Sequence, residues 1–399
     1  MILNIVIFLS VILVLVNSYV GWRVIGALRL VTNWNYFYMK WIVFAITIYF
    51  LIYPLLALLG SISGSQKLIS TIREGDKVVD YFFMYPFWFG LVLILQLGVL
   101  FFCLEIIRFF ISLMFKSESI RWVHAWLIVA ITAVVVVYVP ARIYLDTKTV
   151  RTEEVKVQIP NLPDALEGFK IVHISDIQAD FRTGKSRMEK YINVANKLEP
   201  DIVVFTGDLV TYGEKHIDIG AEMIGKIKTK YGLYACLGDH DYWANPSLIA
   251  KSLKKQNVTI LEDENFTLDV KSSEINMTFV TNIYSMRPNM EALKILPSLN
   301  TSSALKIFIV HQPSEELVEF ASKNNYNIFL AGHTHGGQVV FSLLGIKLTP
   351  VLFENNYLSG QYRFGSMFIN INNGLGLTFA PIRYNAPAGV TLIRLEKEN

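Results

Sequence analysis

A chain of 399 residues has room for two or three domains, and with 53% hydrophobic residues and a mean hydropathy of +0.40 it is too apolar to be wholly soluble. A net charge of +3 supplies no strong basic field and argues against a nucleic-acid partner. The only cysteines are Cys103, inside an apolar run, and Cys236; they make no disulfide framework and leave the compartment open.

The apolar excess lies in the first 150 residues, as four runs each near the ~20 residues a helix needs to cross a bilayer. They are roughly Ile2 to Trp22, Trp41 to Gly60, Phe82 to Leu104, and Val123 to Pro140. Aromatic residues cluster at their ends (Trp34, Tyr36, Tyr38 and Trp41; Tyr81, Phe82 and Tyr85), where amphipathic rings sit at headgroup level. No Lys or Arg precedes Arg23 and no small-residue cleavage site follows, so the first run reads as a retained anchor. An all-α transmembrane bundle of four helices is therefore expected over residues 1–145, in an integral, multi-pass protein. Its orientation is balanced. Arg23, Arg29, Lys40, Arg108, Lys116 and Arg121 on one side oppose Lys67, Arg73, Lys77, Arg142, Lys148 and Arg151 on the other. Only the uncharged N-terminal run tips the reading, towards an extracytoplasmic C-terminal domain.

Residues 146–165 are charged, contain Pro160 and Pro163, and read as a linker to a soluble domain at 166–399. There the pattern alternates. Strands are expected at 168–175, 201–207 and 231–238, with helices at 186–199 and 216–229 between them. Alternation of this kind argues for βαβ units and a largely parallel sheet. Later strand-like runs are VTILED, INMTFV, KIFIV, NIFLAG, SMFIN and GVTLIRL.

These strands end in oxygen and imidazole ligands. The first delivers Asp176 and Gln178, the second Asp208, and the third Asp239, His240 and Asp241. KIFIV delivers His311, and NIFLAG delivers His333 and His335 within AGHTHGGQVV. Singly, Asp beside Gly marks an ordinary turn. Together they are harder to dismiss, because the carboxyl ends of neighbouring strands in an α/β sheet face one crevice. Neutral imidazoles leaving a strand between glycines suit two transition-metal ions side by side.

The ordered set resembles the calcineurin-like metallophosphoesterase superfamily, whose signature is Asp-x-His, Gly-Asp, Gly-Asn-His-(Asp or Glu), a lone His, then Gly-His-x-His. The resemblance spans roughly residues 168 to 395. Its tail, NNGLGLTFAPIRYNAPAGVTLIRL, is similar to the closing segment of the membrane-associated bacterial branch. That resemblance implies two packed mixed sheets flanked by helices, and two divalent ions at the strand ends. One ion would be held by Asp176, Gln178, Asp208 and His335. The other would be held by Asp208 as the bridge, Asp239, His311 and His333, at the ~3.5–4 Å spacing of two-metal sites. It further implies in-line attack by a metal-bridging hydroxide on a phosphoester or diphosphate, in the manner of a phosphodiesterase. His240 would protonate the leaving oxygen or stabilise the transition state, with Asp241 orienting it.

Two positions depart from the pattern. Gln178 stands where the signature has His, and its harder carbonyl suits manganese or magnesium better than zinc. Asp239 replaces Asn and adds a negative charge. Manganese is the expected metal, with magnesium, iron or zinc as alternatives. Tyr212 follows Asp208 by four positions, one more than the tyrosine ligand of purple acid phosphatases, and reads as structural. His173, His216 and His124 read as having no chemical role, Gly374 to Gly376 as a turn, and Asn372 and Asn373 as pocket-lining. The membrane spans favour a phosphorylated substrate at the bilayer, lipid-linked or an envelope glycolipid precursor. The rival readings are a non-catalytic scaffold with a degenerate metal site, motivated by Gln178, and a transporter, disfavoured by the few ionisable residues in the spans.

Overall fold

The computed structural model describes residues 2–32, 34–65, 75–115, 118–299, 303–343 and 346–398; Lys67, Arg73 and Lys116 lie outside them. The chain divides into two compact units, Met1–Tyr144 and Leu145–Asn399. In the first, α1 (Ile2–Val31), α2 (Tyr36–Ser63), α3 (Tyr85–Met114) and α4 (Glu118–Lys148) cover the four apolar runs. A short helical lead-in, Lys77–Val79, and a π-helical turn, Asp80–Met84, extend α3 backwards. All four are long and apolar enough to cross a membrane. They are apolar all round rather than along one stripe, the pattern of helices whose outer faces meet lipid.

The helices outrun their apolar stretches. Where they do, Arg23 of α1 and His124 of α4 converge on Glu105 of α3, joined by Arg108. The His124 Nε2 to carboxylate distance is 2.8 Å and that of Arg108 Nε is 3.5 Å, and Arg23 pairs directly with the same group. His124 is therefore part of a half-buried ion cluster that links three helices.

In the second unit the chain runs β1 (Val150–Ile159), β2 (Lys170–Ile174), α5 (Lys185–Lys197), β3 (Ile202–Phe205), α6 (Ile217–Ile224) and β4 (Leu233–Ala235). Next come α7 (Asp239–Ala244), α8 (Pro246–Lys255), β5 (Val258–Ile260), β6 (Glu264–Val270), β7 (Ser273–Val280) and β8 (Leu305–Val310). They are followed by α9 (Glu315–Lys323), β9 (Ile328–Ala331), the hairpin β10 (Phe341–Leu343) and β11 (Ile346–Leu348), then β12 (Gly360–Phe364), β13 (Met367–Ile371) and β14 (Ala388–Lys397).

Two six-stranded mixed sheets result. The first has the order β1-β14-β2-β3-β4-β5 and is parallel from β2 to β5; the second has the order β12-β13-β9-β8-β7-β6 and is parallel from β13 to β7. Antiparallel pairings join β14 to β2, β12 to β13 and β6 to β7.

Residues 146–165, read above as a linker, differ from that expectation. Val150 to Ile159 form an edge strand paired in parallel with β14, from Val150 opposite Ala388 to Ile159 opposite Lys397. Its first half, Arg151 to Glu154, is exposed on both faces, and only towards its end do exposed Lys156 and Gln158 alternate with buried Val157 and Ile159. Period-two alternation was hidden under a charged composition.

The parallel strands are apolar on successive residues because both faces are covered. Ile171, Ile202, Val204, Ile307, Ile309, Ile328 and Leu330 fill the space between the sheets. Their neighbours Val172, Val203 and Phe205 pack outward with Met188 and Ile192 of α5 and Ile249 of α8. Phe308, Val310, Phe329 and Ala331 pack outward with Leu317 and Val318 of α9.

His173 interrupts the inner layer and is fully buried. Asn370 Nδ2 donates to its Nδ1 at 2.7 Å, so its Nε2 proton goes to Thr206 Oγ1 at 3.0 Å, and Thr206 donates to Ser175 Oγ at 2.7 Å. This chain of bonds joins the two sheets and requires a neutral ring. Burial lowers its pKa from 6.5 to about 3. The unfolded chain takes up a proton below 6.5 that the folded protein refuses until near 3, so stability falls as pH drops through that window. The loss is on the order of 4 kcal/mol by pH 3. A His173→Gln variant, whose amide can still donate to Thr206 and accept from Asn370, should show a flatter decline of thermal stability between pH 6.5 and 3. An unchanged acid slope would remove His173 as its source.

Candidate metal centre

The turns that follow β2, β3, β4, β8 and β9 carry all the sequence-predicted ligands, and the backbone holds these turns against one another. Asp176 N–H donates to Gly207 O at 2.9 Å, Gln178 N–H to Asp208 O at 3.0 Å, and Gly332 N–H to His311 O at 3.0 Å. Asp176, Gln178, Asp208, His333 and His335 all have positive φ, between 50° and 69°. Such conformations cost roughly 1–3 kcal/mol each and persist only where the surroundings enforce them. The packing also demands glycine. A Cβ on Gly238 would lie 2.3 Å from Asp208 Oδ1, and one on Gly332 would lie 1.8 Å from Ser175 Oγ and 2.6 Å from Asp176 Oδ2.

Six of the seven residues are buried, and His333 is slightly exposed. His311 Nε2 lies 3.5 Å from both Asp208 Oδ2 and Asp239 Oδ2, His333 Nδ1 lies 3.1 Å from Asp239 Oδ2, and His335 Nε2 lies 3.3 Å from Asp176 Oδ1. Asp239, His311 and His333 form one group with ligand atoms within 4.8 Å of one another, and Asp176, Asp208 and His311 form a second. Asp176 Oδ1, Gln178 Oε1, Asp239 Oδ2, His311 Nε2 and His335 Nε2 make no well-formed hydrogen bond to any described residue. Five such atoms in one buried place is unusual in a folded protein, where buried polar atoms are normally paired. Oxygen and imidazole donors without thiolate fit divalent first-row ions or magnesium. Gln178 is compatible with this role: its Nε2 donates to Asp208 Oδ2 at 2.7 Å, and its carbonyl oxygen keeps both lone pairs.

The charges point the same way. Burial, with Asp176 and Asp239 nearby, pushes the Asp208 carboxyl up to about 7. His311 is held well above the usual imidazole range in spite of its burial, by the carboxylates of Asp208 and Asp239. The carboxylates draw a proton onto His311 as they would draw a cation.

Asp239 uses its two oxygens differently. Oδ1 accepts the Tyr284 N–H at 2.5 Å, and Oδ2 faces His311 and His333. An Asn with its oxygen turned to the histidines would set its NH2 against that N–H, donor to donor. The carboxylate is thus the side chain this backbone requires.

His240 and Asp241 sit side by side at the start of α7 but do not touch as expected. Asp241 Oδ2 accepts N–H groups from Asp208 at 2.8 Å and Gly238 at 3.0 Å, and Oδ1 accepts that of Leu209 at 2.8 Å. Successive helix residues face different directions, so Asp241 clamps the Asp208 turn instead of orienting His240. The ring of His240 is set by Thr211 O, 2.6 Å from Nδ1, and its Nε2 lies 3.3 Å from Thr378 Oγ1. Its backbone N–H donates to Asp208 Oδ1 at 2.9 Å.

Asn372 and Asn373, expected to line a pocket, serve as ties. Asn372 donates to His173 O and accepts from Gly374 N, both at 2.9 Å, and Asn373 donates to Pro387 O at 3.2 Å. The residue that the motif reading overlooked is Arg383. It is fully buried and its guanidinium donates to the carbonyls of His335, Asn373, Gly374, Gly376 and Ala386 at 2.8–3.3 Å. Its Nη2 is also 3.5 Å from His335 Nδ1. Burial lowers its pKa to about 10, which leaves it charged at neutral pH. A lone cation in the apolar tail segment LTFAPIRYNAP was the available signal.

A family model described as calcineurin-like phosphoesterase matches residues 169–337. An uncharacterised metallophosphoesterase, YkuE, of Bacillus subtilis is 28% identical over 262 residues, covering 64% of this chain and 89% of that protein. A zebrafish (Danio rerio) protein called "transmembrane protein with metallophosphoesterase domain" is 26% identical over 278 residues, covering 67% of this chain and 61% of its own. The solved structure of TT1561 from Thermus thermophilus aligns with a TM-score of 0.37 at 14% identity, over 52% of this chain and 90% of that one.

Two substitutions probe the centre. Asp239→Asn should weaken Mn²⁺ binding by about tenfold in equilibrium titration, in the range typical of disturbed metal sites; unchanged affinity would refute the donor conflict. Arg383→Met leaves five buried carbonyls short of a donor and should lower the thermal midpoint of the soluble unit by several degrees. A shift under one degree would show that Arg383 does not hold these loops.

Proposed function

Through residues 169–337 this chain belongs to the calcineurin-like phosphoesterase family, and from that premise we propose that it is a membrane-anchored binuclear metallophosphohydrolase. The observation that carries the proposal is the group of five buried ligand atoms without hydrogen-bond partners. Asp176, Gln178, Asp208 and His335 would hold one divalent ion, and Asp208, Asp239, His311 and His333 the other, with manganese expected. Bound there, two such ions supply Lewis-acid charge to a phosphoryl group and make water acidic enough to act as a nucleophile near neutral pH.

The chain's own residues do the rest. Asp208 would be the bridge; it lies 3.5 Å from His311, the residue common to both groups, and its orientation is fixed through the Gln178 amide and the His240 N–H. His240 keeps its Nδ1 proton on the Thr211 carbonyl, so Nε2 is the nitrogen that holds or delivers a proton at the leaving oxygen. Asp241 keeps the Asp208 turn in place through three backbone N–H groups. The turns of both sheets exclude water from the buried ligands, which strengthens every charge interaction among them.

Four helices of membrane length support a substrate drawn from the bilayer surface: a phosphoester or diphosphate, lipid-linked or an envelope glycolipid precursor. The spans are read as a multi-pass anchor with the hydrolase on the extracytoplasmic side.

The full-length protein in detergent with Mn²⁺ should hydrolyse bis-p-nitrophenyl phosphate. EDTA should abolish turnover, and Asp208→Asn should lower it by at least about 100-fold. Equal turnover by the variant would leave a non-catalytic scaffold as the better account.

A further inference from the structure

A cleft of about 580 Å³ opens beside His333, with Asn282, Arg287, Gln312, Glu315, Glu316 and Glu354 among its lining residues. It borders the candidate centre: of its lining residues, Gln312 Nε2 lies 3.1 Å, and Glu354 Oε2 3.9 Å, from His333 Nε2. The exposed side chain of Arg287 is held in a fixed place there. Its Nη1 donates to Asn282 Oδ1 at 2.9 Å and to Gln312 Oε1 at 2.6 Å. Both amide residues are buried, and Asn282 Nδ2 is itself anchored on the Gln312 carbonyl at 2.6 Å. A guanidinium is a rigid fork of five N–H donors, so fixing one nitrogen aims the others.

The charge balance selects what this cleft can accept. Arg287 contributes +1 and Glu315, Glu316 and Glu354 contribute −3, a net of −2 among the lining residues. That balance repels a second phosphate, and the lining sets these polar groups beside the apolar Pro288, Leu352 and Phe353. A hydroxyl group both accepts and donates. It can take a hydrogen bond from Arg287 and return one to a glutamate, and it carries no charge to be repelled. We propose that this cleft binds the leaving portion of the substrate, and that this portion is an uncharged, polyhydroxylated group of the sugar or glycerol kind. The proposal rests on the hydrolase reading for the word "leaving". The cleft and its selectivity rest on Arg287 and the carboxylates alone.

The test is calorimetric titration of the full-length, Mn²⁺-loaded protein in detergent with four probes: inorganic phosphate, glucose 1-phosphate, phosphoethanolamine and pyrophosphate. Glucose 1-phosphate should bind at least about tenfold tighter than inorganic phosphate, as hydrogen bonds to charged groups allow. Arg287→Met and Glu316→Gln should each erase most of that preference. Both variants should keep the thermal midpoint of the unsubstituted protein within about two degrees, which separates a lost contact from a misfolded chain. Tighter binding of phosphoethanolamine or pyrophosphate than of glucose 1-phosphate would overturn the proposal, as would a preference that survives both substitutions. Lack of turnover in the unsubstituted protein would defeat the hydrolase reading instead, while the titrations still decide the cleft.

Discussion

Three carboxylates, those of Asp176, Asp208 and Asp239, are buried together at the meeting point of two sheets, and much of the second unit is arranged to keep them there. Buried like charges within a few ångströms repel strongly unless positive charge is supplied. The neighbouring imidazoles of His311 and His333 supply part of it, while burial favours a neutral His335; Asp176 Oδ1, Asp239 Oδ2, His311 Nε2 and His335 Nε2 still lack hydrogen-bond partners. Such a cluster stores electrostatic free energy that a pair of divalent cations would release. Five ligand residues in the surrounding turns take left-handed conformations, held by the turn-to-turn backbone bonds and close packing around them.

Support for the cluster comes from residues that do not face it. Asp241 collects three N–H groups of the turns around Asp208, and Arg383 collects five carbonyls of the turns around His335. One is an anion serving donors, the other a cation serving acceptors. Each satisfies buried backbone groups that no regular element could reach. Further down, His173, Thr206, Ser175 and Asn370 link the two sheets by hydrogen bonds through an otherwise apolar layer. The sheets are thereby held in one relative register, which is what aligns ligands from β2 and β3 with those from β8 and β9.

The first unit has its own polar focus, at Glu105, where side chains from three helices meet. In a low-dielectric setting a carboxylate so placed is tolerable only with cations beside it, and Arg23 and Arg108 meet that need. Arg23, Glu105, Arg108 and His124 thus meet at one level of the helices.

The sequence by itself determined the membrane-length helices, the alternation of strands and helices from 168 onward, and the identity of the converging side chains. These depend on local periodicity and on residue chemistry, both of which are written along the chain. It misread 146–165, because the charged and exposed first half of β1 masked the buried Val157 and Ile159 at its end. Only the tertiary structure decided that Asp241 serves backbone N–H groups rather than His240, and that Arg383 of the tail segment lies against His335. It also decided that Asp239 must carry two acceptor oxygens, because Tyr284 brings its N–H to one of them. Each of these depends on which distant backbone group arrives at a side chain, and nothing local in the sequence encodes that arrival.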